Sequence, residues 1–191
     1  MELELRNYGN IKLSSDNQNT VYGKAIPFEV QSRDLGFIET IHKGSITQEL
    51  IDNSDVYARI NHKDDYILAR SNKGKGSLKL ELKEDGVYYS FEIPDTEKGR
   101  ELREHIKREE IFSSSFYFSV STDEGSERWS KRSDGKIYRD VYKVGFLGDI
   151  APVFSAAYPT TTCSLRGQNI QATSAEIDHK MNLLLDEIEK L

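Results

Sequence analysis

The sequence holds a single cysteine, Cys163, so no intrachain disulfide can form. That excludes a secreted disulfide scaffold and fits a reducing compartment. No apolar run approaches the roughly 18 residues a membrane helix needs, so no membrane partner is expected. The opening residues, MELELRNYGN, carry acid where a secretory signal carries base. A soluble, intracellular protein is the expectation. Positive charge is also short: the formal net charge is -6, which argues against a broad grip on nucleic acid. Paired cysteine motifs are absent. The segment SNKGKGS lacks the spacing of a phosphate-binding loop, and NHKDD offers one imidazole where a metal site wants two. No metal and no cofactor are implied.

What is present is polar and aromatic. Charged residues make up 30% and apolar residues 37% of the 191 positions, yet ten Tyr, eight Phe and one Trp supply material for a packed core. Period-2 alternation dominates. In SLKLELK (77–83) three leucines share a face, and after the turn signal Glu84-Asp85-Gly86 the segment VYYSFEI (87–93) alternates again, predicting a β-hairpin. RWSKRSDGKIYRDVYKVGF predicts a second hairpin turning at Asp134-Gly135. Further strands are expected at 20–28, 36–41, 56–62, 66–70, 115–121 and 160–166. Helices are few. Ser45-Ile46-Thr47-Gln48 has the capping-box pattern, a charged helix follows Pro94 to about Glu109, and Ile177, Met181, Leu184, Ile188 and Leu191 form an apolar stripe at helical spacing. The expectation is a β-rich domain over 1–166, a linker at 167–173 and an amphipathic helix at 174–191. A barrel is expected because so many strands need closed edges.

EEIFSSSFYFSVS (109–121) carries three serines straight into an aromatic strand. Alternation puts Phe116, Phe118 and Val120 on one face and Ser115, Tyr117 and Ser119 on the other. With the aromatic face buried, Ser115 sits on a rigid support with its hydroxyl accessible, as a nucleophile requires. The plain alternative is a Ser-rich loop. A serine hydroxyl needs a base. Of the four histidines, His105 and His179 fall on polar helix faces and His42 ends a strand. His62 differs: in DVYARINHKDD it continues the parity of Val56, Ala58 and Ile60, placing it at the edge of the buried face. An acid should orient the imidazole. Asp149 is a lone carboxylate within the apolar run VGFLGDIAPVF, costly unless paired; Asp140 is the second candidate.

The ordered motifs YGKAIPFEVQS, IETIHKGSITQEL, INHKDDYILAR, IFSSSFYF and RDVYKVGFLGDIAPVFSAAYPTT, spanning about residues 20–166, resemble the prohead (procapsid maturation) serine proteases of tailed bacteriophages, relatives of the herpesvirus assemblin fold. The resemblance implies a small, mostly antiparallel β-barrel with a few surrounding helices. It implies a serine endopeptidase with His62, Ser115 and Asp149 as its triad. Arg139, which resembles a recurrent family arginine, is implied as oxyanion support. Implied substrates are the phage major capsid protein and scaffold, and the protease itself, inside the assembling procapsid in the host bacterial cytoplasm; a homodimer or higher homo-oligomer is compatible. Asp149 stands where the family usually carries Glu, and Tyr117 where it carries a small residue. A non-catalytic assembly module on the same barrel is the alternative.

Overall fold

The structure, a computed structural model, describes residues 4–8, 11–13, 19–65, 67–108 and 110–154. The expected strand at 160–166, the linker at 167–173 and the helix at 174–191 lie outside the described residues. The described residues are mainly β with few helices, well above the usual strand content of a globular domain.

Three sheets form. The four-stranded sheet runs β2 (Ile11–Leu13), β3 (Thr20–Pro27), β9 (Gly86–Glu92), β8 (Lys79–Lys83), all antiparallel. Its β8–β9 hairpin is the one predicted, turning at Glu84-Asp85 with Lys83 opposite Gly86. The three-stranded sheet runs β11 (Glu127–Lys131), β12 (Ile137–Val141), β4 (Ile38–Ile41), the second predicted hairpin closed by a parallel strand. The six-stranded sheet runs β1 (Glu4–Tyr8), β10 (Ile111–Val120), β13 (Val144–Phe154), β5 (Asp55–Arg59), β6 (Ile67–Asn72), β7 (Lys75–Gly76). β13 pairs antiparallel with β10 and parallel with β5.

No closed barrel is detected among the described residues. Edges are handled by other means: β8 presents Lys79, Glu81 and Lys83 to solvent, and β7 is two residues long. Charge and brevity both blunt an edge. β6 and β7 form a short hairpin. Ser71 pairs with Gly76 and Asn72 with Lys75, around Lys73 (φ 50°) and Gly74 (φ 74°), the left-handed pair a two-residue turn demands.

One core joins the sheets. Val21, Tyr89 and Phe91 from the first, Ile41 and Val141 from the second, and Phe116, Phe118, Leu147 and Ile150 from the third are all buried in it. α2 (Glu97–Lys107), capped by Thr96, adds Leu102 and Ile106. The predicted capping box is shifted: α1 (Gln48–Asn53) is capped by Thr47, whose hydroxyl accepts from the Leu50 N–H, while Ser45 is buried in the preceding turn. Ser45 donates its N–H to His42 O, so the backbone is still turning there and extends only at Thr47.

Candidate active site

The three serines lie in a strand and not in a loop, since β10 begins at Ile111. Apolar Phe116 and Phe118, both fully buried, fix its inner face. Ser115 and Tyr117 take the other face, where their partners on β13 are Ala151 and Asp149. A methyl group opposite Ser115 leaves room on that face for a larger neighbour. Ser115 itself is 1% exposed. The expected accessible hydroxyl is thus enclosed, with the His62 imidazole set against it.

His62 reaches Ser115 by a route the alternation does not predict. The strand expected to run to 62 ends at Arg59, and Ile60–His62 form a 3₁₀ turn. Asn61 (φ 51°) and His62 (φ 57°) are both left-handed, a region that Asn and His enter more readily than most residues. The two reversals break strand parity. His62 therefore leaves the buried face of Val56 and Ala58 and turns toward β10. Its Nε2 lies 2.7 Å from Ser115 Oγ.

Asp149 sits in the middle of the sheet, in register with Tyr117 on one side and Tyr57 on the other, and none of its surface is exposed. Its Oδ2 is 3.2 Å from His62 Nδ1. That contact is close enough for an ion pair but is not aligned as a hydrogen bond, so His62 Nδ1 and Asp149 Oδ1 are both buried without a hydrogen-bond partner among the described residues. Rotation of the carboxylate about its terminal bond, a soft torsion, is the change that lets the two groups meet.

The sequence reading missed Arg59. Its Nε donates to Asp149 Oδ2 at 2.6 Å, and Nη2 lies 2.5 Å from the same oxygen. Nη1 bonds Asp64, in the exposed turn beyond His62. The signal was available: a carboxylate in an apolar run needs a counter-charge, and Arg59 has the outward parity of β5 three residues before His62. Tyr117 completes the surroundings. Burial raises its hydroxyl pKa, the Arg59 charge opposes that, and the Asp149 charge adds to it; its ring meets Phe146 edge-on at 6.4 Å.

The second acid candidate serves another histidine. Asp140 Oδ1 lies 2.9 Å from His42 Nε2, and Glu29 Oε2 lies 2.9 Å from His42 Nδ1. Arg139 is likewise engaged elsewhere, on β12 in the three-stranded sheet. It bonds Glu127 through Nε (2.6 Å) and buried Glu39 through Nη1 (3.1 Å). The structure brings together His62, Ser115 and Asp149, and holds Arg139 by these carboxylates in another sheet. Among the described residues no cluster of three or more His, Cys, Asp or Glu could hold a metal ion.

A catalytic reading of such a constellation is of hydrolytic type: a hydroxyl on an imidazole, with a carboxylate behind the ring. The family model described as caudovirus prohead serine protease matches residues 4–176. Among solved structures, that of the bacteriophage T4 capsid assembly protease is similar over 80% of this chain and 98% of its own, at 16% identity and a TM-score of 0.47. No curated protein matches the sequence.

Proposed function

This chain belongs to the caudovirus prohead serine proteases, and from that premise we propose that it is the endopeptidase of phage head maturation, with Ser115, His62 and Asp149 as its triad. The observation that carries this reading is the 2.7 Å contact between Ser115 Oγ and His62 Nε2. In the neutral ring, Nδ1 carries the proton toward Asp149 and Nε2 offers its lone pair to the serine hydroxyl. Ser115 Oγ attacks a peptide carbonyl as its proton passes to Nε2. The imidazolium then donates that proton to the leaving amine, and water repeats the sequence on the acyl-enzyme. Asp149 holds the ring and balances the imidazolium charge. Because Ser115 is enclosed, substrate binding must open the face above it.

The substrates in this reading are the scaffold and extensions of the major capsid protein, together with the protease itself, within the procapsid in the host cytoplasm. Confinement at high local concentration relaxes the need for intrinsic affinity. Cleavage of the scaffold removes its contacts and makes assembly irreversible. Arg139, occupied by Glu39 and Glu127, is left out of the reacting group. A homo-oligomer remains compatible with it.

The test is co-expression with the scaffold and capsid protein of the same phage, read by mass spectrometry of assembled proheads. Truncated scaffold and capsid chains are expected with the wild type and absent with Ser115→Ala. Truncation that survives Ser115→Ala, or none with the wild type in assembled proheads, overturns the proposal.

A further inference from the structure

We propose that Arg59 is the positioning residue of this site, one that pins Asp149 by a single oxygen and governs how tightly the Asp149–His62 pair holds its proton. The inference rests on the triad reading above but is measurable apart from it. Asp149 is fully buried in the middle of the six-stranded sheet, in register with Tyr117 and Tyr57. A carboxylate there stays ionised only with a counter-charge and donors. Two nitrogens of one guanidinium supply both, at 2.6 and 2.5 Å on Oδ2. His62 Nδ1 approaches the same oxygen at 3.2 Å, so the arginine and the imidazole compete for one lone-pair region while Oδ1 is left without a hydrogen bond.

Two consequences follow from this sharing. First, the planar fork of Arg59 sets the carboxylate's orientation, which a lysine cannot reproduce. Second, its permanent positive charge disfavours a proton on the adjacent pair, whether that proton resides on His62 or on Asp149. Loss of the guanidinium removes that repulsion and favours the protonated form of the pair. Other ionisable groups around it are Tyr117 on β10, Tyr57 on β5, whose ring lies 5.4 Å from the Arg59 guanidinium carbon, and, in the turn after His62, Asp64, which bonds Arg59, beside exposed Lys63 and Asp65.

The experiment follows the His62 ring by NMR across pH in the wild type, Arg59→Gln, Arg59→Lys and Asp64→Asn, beside the rate of Ser115 labelling by a fluorophosphonate. In Arg59→Gln the His62 titration and the acid limb of labelling are expected to move together to higher pH, by at least about one pH unit, the usual influence of an adjacent charge. Arg59→Lys keeps the charge, so its titration stays within a few tenths of the wild type while the plateau labelling rate falls about tenfold. Asp64→Asn, a change at an exposed position, releases the guanidinium to Asp149 and moves the titration to lower pH; it tests the idea even where Arg59→Gln does not fold. An unchanged His62 titration in Arg59→Gln, or in Asp64→Asn if that is the folded variant, overturns the inference. A shifted titration beside wild-type proheads that assemble without any truncated scaffold or capsid chain sinks the protease reading and leaves the role of Arg59 standing.

Discussion

Asp140 and Asp149 lie on consecutive strands of the chain, and each is committed to a different histidine: Asp140 to His42 at 2.9 Å and Asp149 to His62 at 3.2 Å. The two carboxylates are alike in composition and close in sequence. Their strands separate them, since β12 belongs to the three-stranded sheet and β13 to the six-stranded one. Substitutions at the two positions should therefore part cleanly. Asp149→Asn is expected to lower the rate of scaffold cleavage by on the order of 10³–10⁴-fold, as when a triad imidazole is held in the wrong tautomer. Asp140→Asn should leave that rate within about threefold, because nothing joins it to Ser115. Equal losses would show that the acids have been misassigned.

Ser115 and His62 should behave as one unit. Each alanine variant is expected to lose roughly 10⁶-fold in kcat, and the double variant hardly more, because groups that act together are far from additive. Kinetics on a cleavable reporter, with folding checked by circular dichroism, measures this. Losses that multiply would mean the 2.7 Å contact is not used in the reaction.

His42 predicts a pH dependence of stability. Burial lowers its pKa, but hydrogen bonds and charge from Asp140 and Glu29 outweigh that, leaving it raised above the ordinary 6.5. With a carboxylate on each ring nitrogen, both nitrogens donate only in the imidazolium. Stability from this contact is fully present below the unfolded value, about 6.5, and is lost as pH rises through the folded one. Urea midpoints between pH 6 and 9 should fall for the wild type and stay flatter for His42→Gln. Parallel curves for the two proteins would contradict the argument.

The Glu39–Arg139 pair is expected to act structurally. Glu39 is wholly buried, and Arg139→Leu leaves its carboxylate short of its nearest cation. Breaking a buried pair from one side costs about 3–5 kcal/mol, a fall in Tm of roughly 10 °C for a chain of this size. Fluorophosphonate labelling of folded Arg139→Leu at low temperature should match the wild type. A labelling rate reduced 100-fold in that folded variant would restore Arg139 as oxyanion support.

Tyr89 ties the four-stranded sheet to the strand of Ser115. Its hydroxyl shares a 2.9 Å hydrogen bond with Ser114 Oγ, both groups buried. The ring lies across Gly23, where a Cβ would stand 2.7 Å from it, so any larger residue there displaces the ring. Tyr89→Phe strands the Ser114 hydroxyl and should cost about 1–3 kcal/mol, whereas Tyr89→Phe with Ser114→Ala should recover most of that. Chemical denaturation of the wild type and the two variants gives the comparison; no recovery in the double variant would mean that ring packing, and not the hydroxyl pair, carries the cost.

Alternation was enough to find both hairpins, the aromatic inner face of β10 and the charged helix after Pro94, because side-chain period is a local property of the backbone. Composition alone marked Asp149 as a carboxylate needing a partner. Four decisions belonged to tertiary structure. The left-handed turn at Asn61 and His62 is invisible to a parity argument, which put His62 on the buried face of β5 where the fold turns it toward Ser115. Arg59 became the counter-charge of Asp149 only when a parallel pairing set β5 beside β13. Arg139 went to Glu39 and Glu127 because its strand joined a different sheet. The open edges of β7 and β8 were blunted by length and charge, where a count of strands had asked for closure. For Arg59 and Arg139 the deciding partners, Asp149 and Glu39, lie far away in sequence. Local pattern governs which way a side chain points, and only the fold governs what it meets.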